Sequence, residues 1–529
     1  MNSKFAKTAF FLLLMLLGLS AAALTEDLNV QWIKEFGSSG LDNLQGIACD
    51  PSGNVCITGF TEAALSGNSH SGGTDMFVAK YDAAGRELWT RQLGTVESDQ
   101  GAALACDGVG NIYVTGHTSG SFEGKTNAGG ADIFLIKLEP SGKILWIKQF
   151  GTSESEYGLS VAADYDGNVY VVGDTYGKLT GTRNYGEADV FIMKFDPSGD
   201  RLWGAQFGTA SAEHTKMVAI DISGNIYVTG DTSGSLEPKV AFGGYDIFLA
   251  KYNPYGDQLW LKQIGTAGND FSGGVAGDNA GNIYISGETK SQVKGKANKG
   301  LGYISLDKFD AQGKIIWHRQ LGTRASDSSL GLAIDGTGAI CIAGDTTDNL
   351  GQNKNSGLAD VFLVKYYACG NKPWIIGLGT DKNEFCTGIA SDKAGNVYVA
   401  GYTDGTFAGN KNAGYTDMFI ISFKINGLVL CEKDGITILG GAKGFLEPAK
   451  EEKLYIMMFP DKDGQVTMEI RSLTGQLSWK NVIIAKEKVQ EMVSWDGRDQ
   501  DRKIVPPGMY QLQIKGPGID VQEKIAVVQ

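Results

Sequence analysis

Histidine is nearly missing from this chain of 529 residues. Only His70, His117, His214 and His318 occur, and none stands in an HxH or HExxH spacing. A helix-borne zinc protease site is therefore absent. Seven cysteines occur (49, 56, 106, 341, 369, 386 and 431) without a single CxxC pair, which removes a zinc ribbon. The odd count leaves at least one thiol outside any internal bridge. Cys56 and Cys341 fall where sister segments carry Tyr113 and Tyr170, so these cysteines read as small buried residues rather than a disulfide framework. Positive charge is in deficit: the formal net charge of −13 argues against nucleic acid and against an anionic membrane surface as partners. Apolar runs of spanning length are lacking throughout. The longest, "AFFLLLMLLGLS", follows Lys4 and Lys7 and precedes "AAA", so residues 1–23 read as a signal peptide. The expected mature chain has no membrane span and works outside the cytoplasm, secreted, at the cell surface or in the periplasm. Proline is also scarce, at 11 residues.

Glycine, in contrast, is abundant at 74 residues, and it does not follow the every-third-residue period of a triple helix. Together with many β-branched and aromatic residues it predicts short strands joined by tight turns.

The chain repeats itself. Trp32, Trp89, Trp146, Trp203, Trp260, Trp317 and Trp374 are spaced by 57 residues without insertion. Counting each Trp as position 0, glycine fills position 5 and Asp50, Asp107, Asp164, Asp221, Asp278, Asp335 and Asp392 fill position 18. Each unit predicts four strands: A, ending at the position-18 Asp; B, as in "NIYVTG"; C, as in "DIFLAKY"; and D, carrying the Trp. Short turns of the form D-x-x-G join A to B and C to D. Longer loops join B to C and D to A. Seven such units predict an all-β chain with a seven-bladed β-propeller of four-stranded antiparallel blades, because closing the ring removes exposed strand edges. An open solenoid is the competing architecture. The Trp is expected to wedge between blades, and the position-5 glycine to let the neighbouring sheet approach. Two segments compete for the last D strand: "NVQWIKEFG" near the N-terminus, favoured because it keeps the Trp, and residues 426–435, with Cys431 in the Trp place.

These units resemble the SBBP β-propeller repeat family, on the pattern W-x-K-Q-F-G-T, D-x-x-G-N-x-Y-V-x-G-x-T and D-x-F-x-x-K-Y-D-x-x-G. The resemblance implies the propeller over residues 29–430 and assigns no single activity. Tyr303 and Ser305 in the fifth unit, Ala339 in the sixth and Ser422 in the seventh depart from it. Beyond a linker at 431–440, residues 441–529 resemble the Ig-like domain of flagellar hook-capping proteins, through Trp495, Asp496, Gly497, Arg498, Val505, Pro507, Gly508, Met509 and Tyr510. That resemblance implies a small β-sandwich used for spacing or attachment. The glycine usual before the Val is replaced by Lys503 and Ile504.

Two acidic sets fall toward the long-loop face. Position 10 is acidic in all seven units: Asp42, Asp99, Glu156, Glu213, Asp270, Asp327 and Glu384. Complete recurrence points to a cap on each unit's own loop rather than a shared site. Position 28 breaks the symmetry, with Phe60, His117, Asp174, Asp231, Glu288, Asp345 and Tyr402. An acidic arc facing an aromatic pair is a candidate ligand surface for a cationic or sugar-like group. The alternative is a set of solvated strand ends. No metal site and no cofactor are expected. The strings "YDAAGRELW" and "FDPSGDRLW" resemble the Trp-docking repeats of quinone-dependent dehydrogenases, but the vicinal cysteine pair is missing. Glu213–His214 is the nearest thing to an acid/base pair. The reading is a non-enzymatic binding, adhesion or scaffold protein that offers its long-loop face to a protein or carbohydrate. The alternatives are a polysaccharide-active hydrolase or lyase using loop carboxylates, and a structural surface-layer component.

Overall fold

In the computed structural model the described residues run from 28 to 528 with short stretches left out, 292–300 being the longest; the signal-like residues 1–23 lie outside them. All regular elements of length among the described residues are strands. In blade 1 these are A, Asp42–Cys49; B, Val55–Thr61; C, Asp75–Tyr81; and D, Glu87–Leu93, hydrogen-bonded in that order. Five further sheets repeat the order A-B-C-D down to Asp327–Ile334, Ile340–Thr346, Asp360–Tyr366 and Trp374–Leu378. In blade 7 the order is Glu384–Ser391, Asn396–Thr403, Asp417–Ile425 and then Leu28–Phe36, a strand from the opposite end of the chain. Its register runs from Leu28 opposite Ile425 to Phe36 opposite Met418.

The sheets form a propeller-like ring. Each junction between neighbouring sheets has its own apolar core, and one of these cores joins the last sheet to the first. There Leu44, Ile57 and Phe77 of blade 1 pack with Tyr398, Met418 and Ile420 of blade 7. The B and C strands are buried on both faces, which explains their near-continuous apolar runs. The A strands line the middle, and each carries a one-residue bulge at the same place, as between Thr215 and Met217.

Polar clips repeat around the ring. Nε1 of Trp32, Trp89, Trp146, Trp203 and Trp260 donates to a carbonyl in the next blade's C–D turn, at 3.0, 3.1, 3.3, 3.1 and 3.4 Å. The glycine of that turn lies flat on the indole: a Cβ at Gly85 or Gly142 would run into Trp32 or Trp89. In the A–B turn, Asp50 Oδ1 accepts the N–H groups of Ser52 and Asn54 at 2.8 and 2.9 Å, and Oδ2 pairs with Lys80 Nζ at 2.8 Å. The position-18 aspartates are thus turn-formers. The position-5 glycines do something other than expected. What approaches six of them is the carboxylate at the start of the same blade's C strand, not the neighbouring sheet: a Cβ on Gly94 would collide with Asp75 Oδ1, and only in blade 5, at Gly322, does the Tyr303 ring take that place. Cys56, Cys341 and Cys386 are buried free thiols, and Cys49 and Cys106 are half-buried ones.

The remaining chain forms two more sheets. One orders Val429–Lys433, Ile436–Leu439, Leu454–Met458 and Glu491–Trp495. The other orders Leu477–Ala485, Gly464–Ser472, Gly508–Gly516 and Ile519–Val527. They share one core, with Ile456, Met458 and Trp495 from the first and Met468, Leu512, Ile514 and Val521 from the second. The stretch 431–440, expected as a linker, therefore contributes strands to this unit. Of the competing segment 426–435, the described strand Val429–Lys433 pairs with Ile436–Leu439, and the edge of blade 7 is filled by Leu28–Phe36.

Candidate functional site

Position 10 settles inside the loops. Asp42, Asp99, Glu156, Glu213, Asp327 and Glu384 show no exposure, and Asp270 shows 3%. Each takes the N–H of the residue four before it. Glu213 accepts Thr209 N–H at 2.6 Å, Thr209 Oγ1 at 2.8 Å and Thr232 Oγ1 at 2.7 Å. Burial raises the pKa of Glu213 and Glu384 against these hydrogen bonds. Glu213 is consumed by its loop and makes no acid/base pair with His214.

Position 28 lies one residue before the end of each B strand, and on every blade but the first its side chain reaches the next blade's A strand, Tyr402 meeting Asn43 across the closure. Asp174 Oδ1 accepts Thr215 N–H at 2.7 Å, and its Oδ2 stands 3.2 Å from His214 Nδ1. Asp231 Oδ1 accepts Ser272 N–H at 2.6 Å, and Asp345 Oδ1 accepts Cys386 N–H. Glu288 accepts Ser328 Oγ at 3.0 Å, and its other oxygen lies 3.8 Å from Lys290 Nζ. His117 meets Tyr157 edge-on at 4.9 Å, and Tyr402 tilts against Phe385 of its own blade at 5.2 Å. Phe60 is half-buried opposite Asn43. Six of the seven, all but Phe60, are therefore distributed over the junctions as brackets. Each carboxylate meets an N–H or hydroxyl of the next blade near the A-strand bulge, and among the described residues no contact joins all seven around one ligand space.

Their electrostatics are uneven. Burial pushes Asp231 and Asp345 up to about 7, with Lys216 pulling both the other way. Burial likewise lowers Lys216 against the attraction of Asp231 and Asp345. Lys216 is the bulge residue of blade 4, where the other blades carry Gln45, Ala102, Leu159, Gly273, Leu330 and Thr387. It is the one charged residue in that set. Its field reaches its own blade's Asp231 and, two blades on, Asp345, which places it in the space the A strands enclose. The hydrogen bond to Asp174 raises His214, while burial lowers His117 to about 4.

Sequence reasoning missed the partners. Position 11 carries Tyr157, His214 and Phe271 on blades 3 to 5, the same stretch that holds Asp174, Asp231 and Glu288. Tyr157 lies 6.3 Å from Tyr176, His214 lies 6.2 Å from Tyr245, and Tyr245 lies 5.6 Å from Phe271. Tyr176 is 41% exposed. Aromatic faces and carboxylates thus share one arc of the long-loop face. The missed signal was a second symmetry-breaking column in the 57-residue alignment. Among the described residues no group of three or more His, Cys, Asp or Glu side chains is placed to hold a metal ion. Nor is any helix there long and apolar enough to cross a membrane, which says nothing of strands.

Five stretches match the SBBP β-propeller repeat: residues 88–123, 145–179, 202–237, 259–292 and 375–408. The chain is 23% identical over 419 residues to an uncharacterized WD repeat-containing protein, L264, of Acanthamoeba polyphaga mimivirus, covering 60% of this chain and 30% of that one. It is 24% identical over 308 residues to the regulatory protein FlaEY of Caulobacter vibrioides, covering 51% and 32%. The chain thus spans about a third of the length of these curated relatives. Among solved structures, the β-propeller domain of the Trilobed protease from Pyrococcus furiosus aligns at 12% identity, TM-score 0.42, over 74% of this chain and 97% of that one. A fungal alcohol oxidase of the AA5 family aligns at 11% identity, TM-score 0.42, over 95% and 99%.

Proposed function

We propose that this is an exported binding scaffold, a seven-bladed β-propeller followed by an Ig-like sandwich, and that blades 3 to 5 carry its ligand surface. The observation that supports the reading is the coincidence on one arc of Tyr157, Tyr176, Tyr245 and Phe271 with Asp174, His214 and Asp231. Blades 1, 2 and 6 answer position 11 with Asn43, Gln100 and Ser328, and blade 7 carries an aromatic there, Phe385, whose position-28 neighbour is Tyr402 rather than a carboxylate. Aromatic rings beside carboxylates suit a carbohydrate or a protein loop carrying polar donors. Relatives that carry WD-type repeats or bear a regulatory name are consistent with a binding role. In the second unit, two four-stranded sheets, Val429–Lys433, Ile436–Leu439, Leu454–Met458, Glu491–Trp495 and Leu477–Ala485, Gly464–Ser472, Gly508–Gly516, Ile519–Val527, share one core, which is consistent with an Ig-like assignment.

The test is binding of the full-length chain to a glycan array and to surface extracts, compared with Tyr176→Ala/Tyr245→Ala. The expected result is a partner whose affinity falls about tenfold or more in the variant, the loss of two stacking faces. Affinity unchanged in the variant would remove the arc as the site. A second reading, polysaccharide cleavage, draws on Asp231, which lies on the same arc, accepts Ser272 N–H at 2.6 Å and is pushed by burial up to about 7, toward the range of a general acid. Turnover of a glycan library abolished by Asp231→Asn would select it.

A further inference from the structure

Turns in this protein follow one rule with one exception. Wherever the chain makes an Asp-x-x-Gly turn, glycine takes the left-handed place, as at Gly53 (φ 82°), Gly167 (φ 84°) and Gly395 (φ 82°). The same hydrogen bonds recur between Asp499 and Lys503. Asp499 Oδ1 accepts the N–H groups of Asp501 and Lys503, each at 2.9 Å, and the Asp499 carbonyl accepts Arg502 N–H at 3.0 Å. Here the left-handed place belongs to Arg502, with φ 63°, the one non-glycine residue at positive φ among the described residues. A Cβ crowds the carbonyl in that conformation, so the arginine is held at a cost that glycine would avoid.

The strained turn forms a wall of an open groove of about 830 Å³ on the C-terminal unit, lined also by Trp479, Lys480, Asp496, Arg498 and Gln500. Trp479 is half-buried and packs against the sandwich core. Arg498 is committed: its carbonyl accepts Trp495 Nε1 at 2.7 Å, its Nη1 donates to the Arg502 carbonyl at 3.1 Å, and its Nε lies 3.7 Å from Asp496. Lys480 is committed to Glu469 at 2.9 Å. Arg502 alone among these cations has a guanidinium without a protein partner among the described residues. The groove therefore combines one aromatic face, several polar groups and one unmatched planar cation.

We propose that this groove binds a carboxylate-bearing saccharide of the uronate type. The indole of Trp479 stacks on the apolar face of the sugar ring. The Arg502 fork takes the carboxylate through two parallel hydrogen bonds, a match of planar shapes and single charges that a lysine lacks. Gln500 and Asp496 bond the hydroxyls. This site is separate from the arc on blades 3 to 5.

The test titrates the full-length chain with an oligogalacturonate and with its methyl ester, following heat release, and follows thermal unfolding of each variant. The acid is expected to bind at least tenfold more tightly than the ester. Arg502→Gly is expected to lose at least tenfold in affinity while its C-terminal unit unfolds a few degrees higher, since glycine relieves the turn. Arg502→Lys keeps the charge and loses part of the affinity. The Tyr176→Ala/Tyr245→Ala chain keeps uronate binding in full. The proposal is overturned by absent binding, by equal binding of acid and ester, by undiminished binding in Arg502→Gly, by tighter binding of a sulfated oligosaccharide, or by loss of binding in the tyrosine variant.

Discussion

Blades 1 to 4 and blade 7 differ at one atom with large consequences. In the first four, a D-strand glutamine donates Nε2–H to the first aspartate of the C strand. Gln92 reaches Asp75 at 2.9 Å, Gln149 reaches Asp132 at 3.1 Å, and Gln206 and Gln263 reach Asp189 and Asp246 at 2.8 Å. In blade 7 the D strand comes from the other end of the chain and carries Glu35 at that place. Glu35 still accepts the loop N–H of Phe407 at 2.8 Å, as the glutamines accept theirs. It has no amide to give Asp417, and its Oε1 is buried without a partner. The closure thus copies the geometry of the other blades and replaces a neutral donor with an acid. The ring's repeated clips are structural necessities. The place where the ring is sewn shut adds a further buried acid whose protonation enters the ring's stability.

Removing residues 28–36 breaks the comparison most severely. Blade 7 loses its fourth strand, and blade 1 loses Trp32 and Phe36, whose burial alone contributes on the order of 3 kcal/mol or more. Calorimetry of the truncated chain is expected to show the ring's cooperative transition lowered by more than about 10 °C or lost. Trp32→Ala and Trp203→Ala ask whether the sewn junction is as tight as a continuous one. Each deletes an indole that bonds the next blade's turn, and each is expected to cost about 2–4 kcal/mol in denaturant unfolding. A cost at Trp32 far below that at Trp203 would mark the closure as loose. Glu213→Ala strands the Thr209 N–H and two hydroxyls in a buried loop, with an expected cost of about 1–3 kcal/mol in the same measurement.

Glu35→Gln is the smallest and sharpest change. Burial holds the Glu35 carboxyl above the ordinary carboxylate range, and Asp417 and Glu384 raise it further, against the Phe407 N–H. A folded-state pKa above the unfolded one gives stability that is complete in acid and declines as pH climbs from the ordinary carboxylate pKa through the raised one. The glutamine restores the donor to Asp417. It is expected to add about 1 kcal/mol at pH 7 and to flatten part of the wild-type decline above pH about 4.5. Unfolding midpoints measured across that window decide it.

Much of the ring was legible because its signals are local and repeated. The Trp column, the D-x-x-G turns and the alternation in the B strands each state what one blade needs, and the chain states it again every 57 residues. The junction chemistry was harder to read. The role of position 28 depends on which backbone N–H lies across the gap, and the A-strand bulge that offers it leaves no residue type of its own: Gln45, Leu159 and Gly273 all occupy it. The start of the C-terminal unit was hard to place because Val429–Lys433 and Ile436–Leu439 are short strands that pair with each other, and their sheet continues only farther along the chain, through Leu454–Met458 to Glu491–Trp495. Arg502 was passed over because a left-handed arginine looks in sequence like any surface arginine.

Hydrogen exchange at the amides of Leu28–Phe36 tests the closed ring most directly. If that strand completes blade 7, its amides exchange as slowly as those of Arg201–Phe207, the D strand of blade 3, because both open only when a blade opens. Exchange at the rate of a free tail, with Arg201–Phe207 still protected, would contradict the closure.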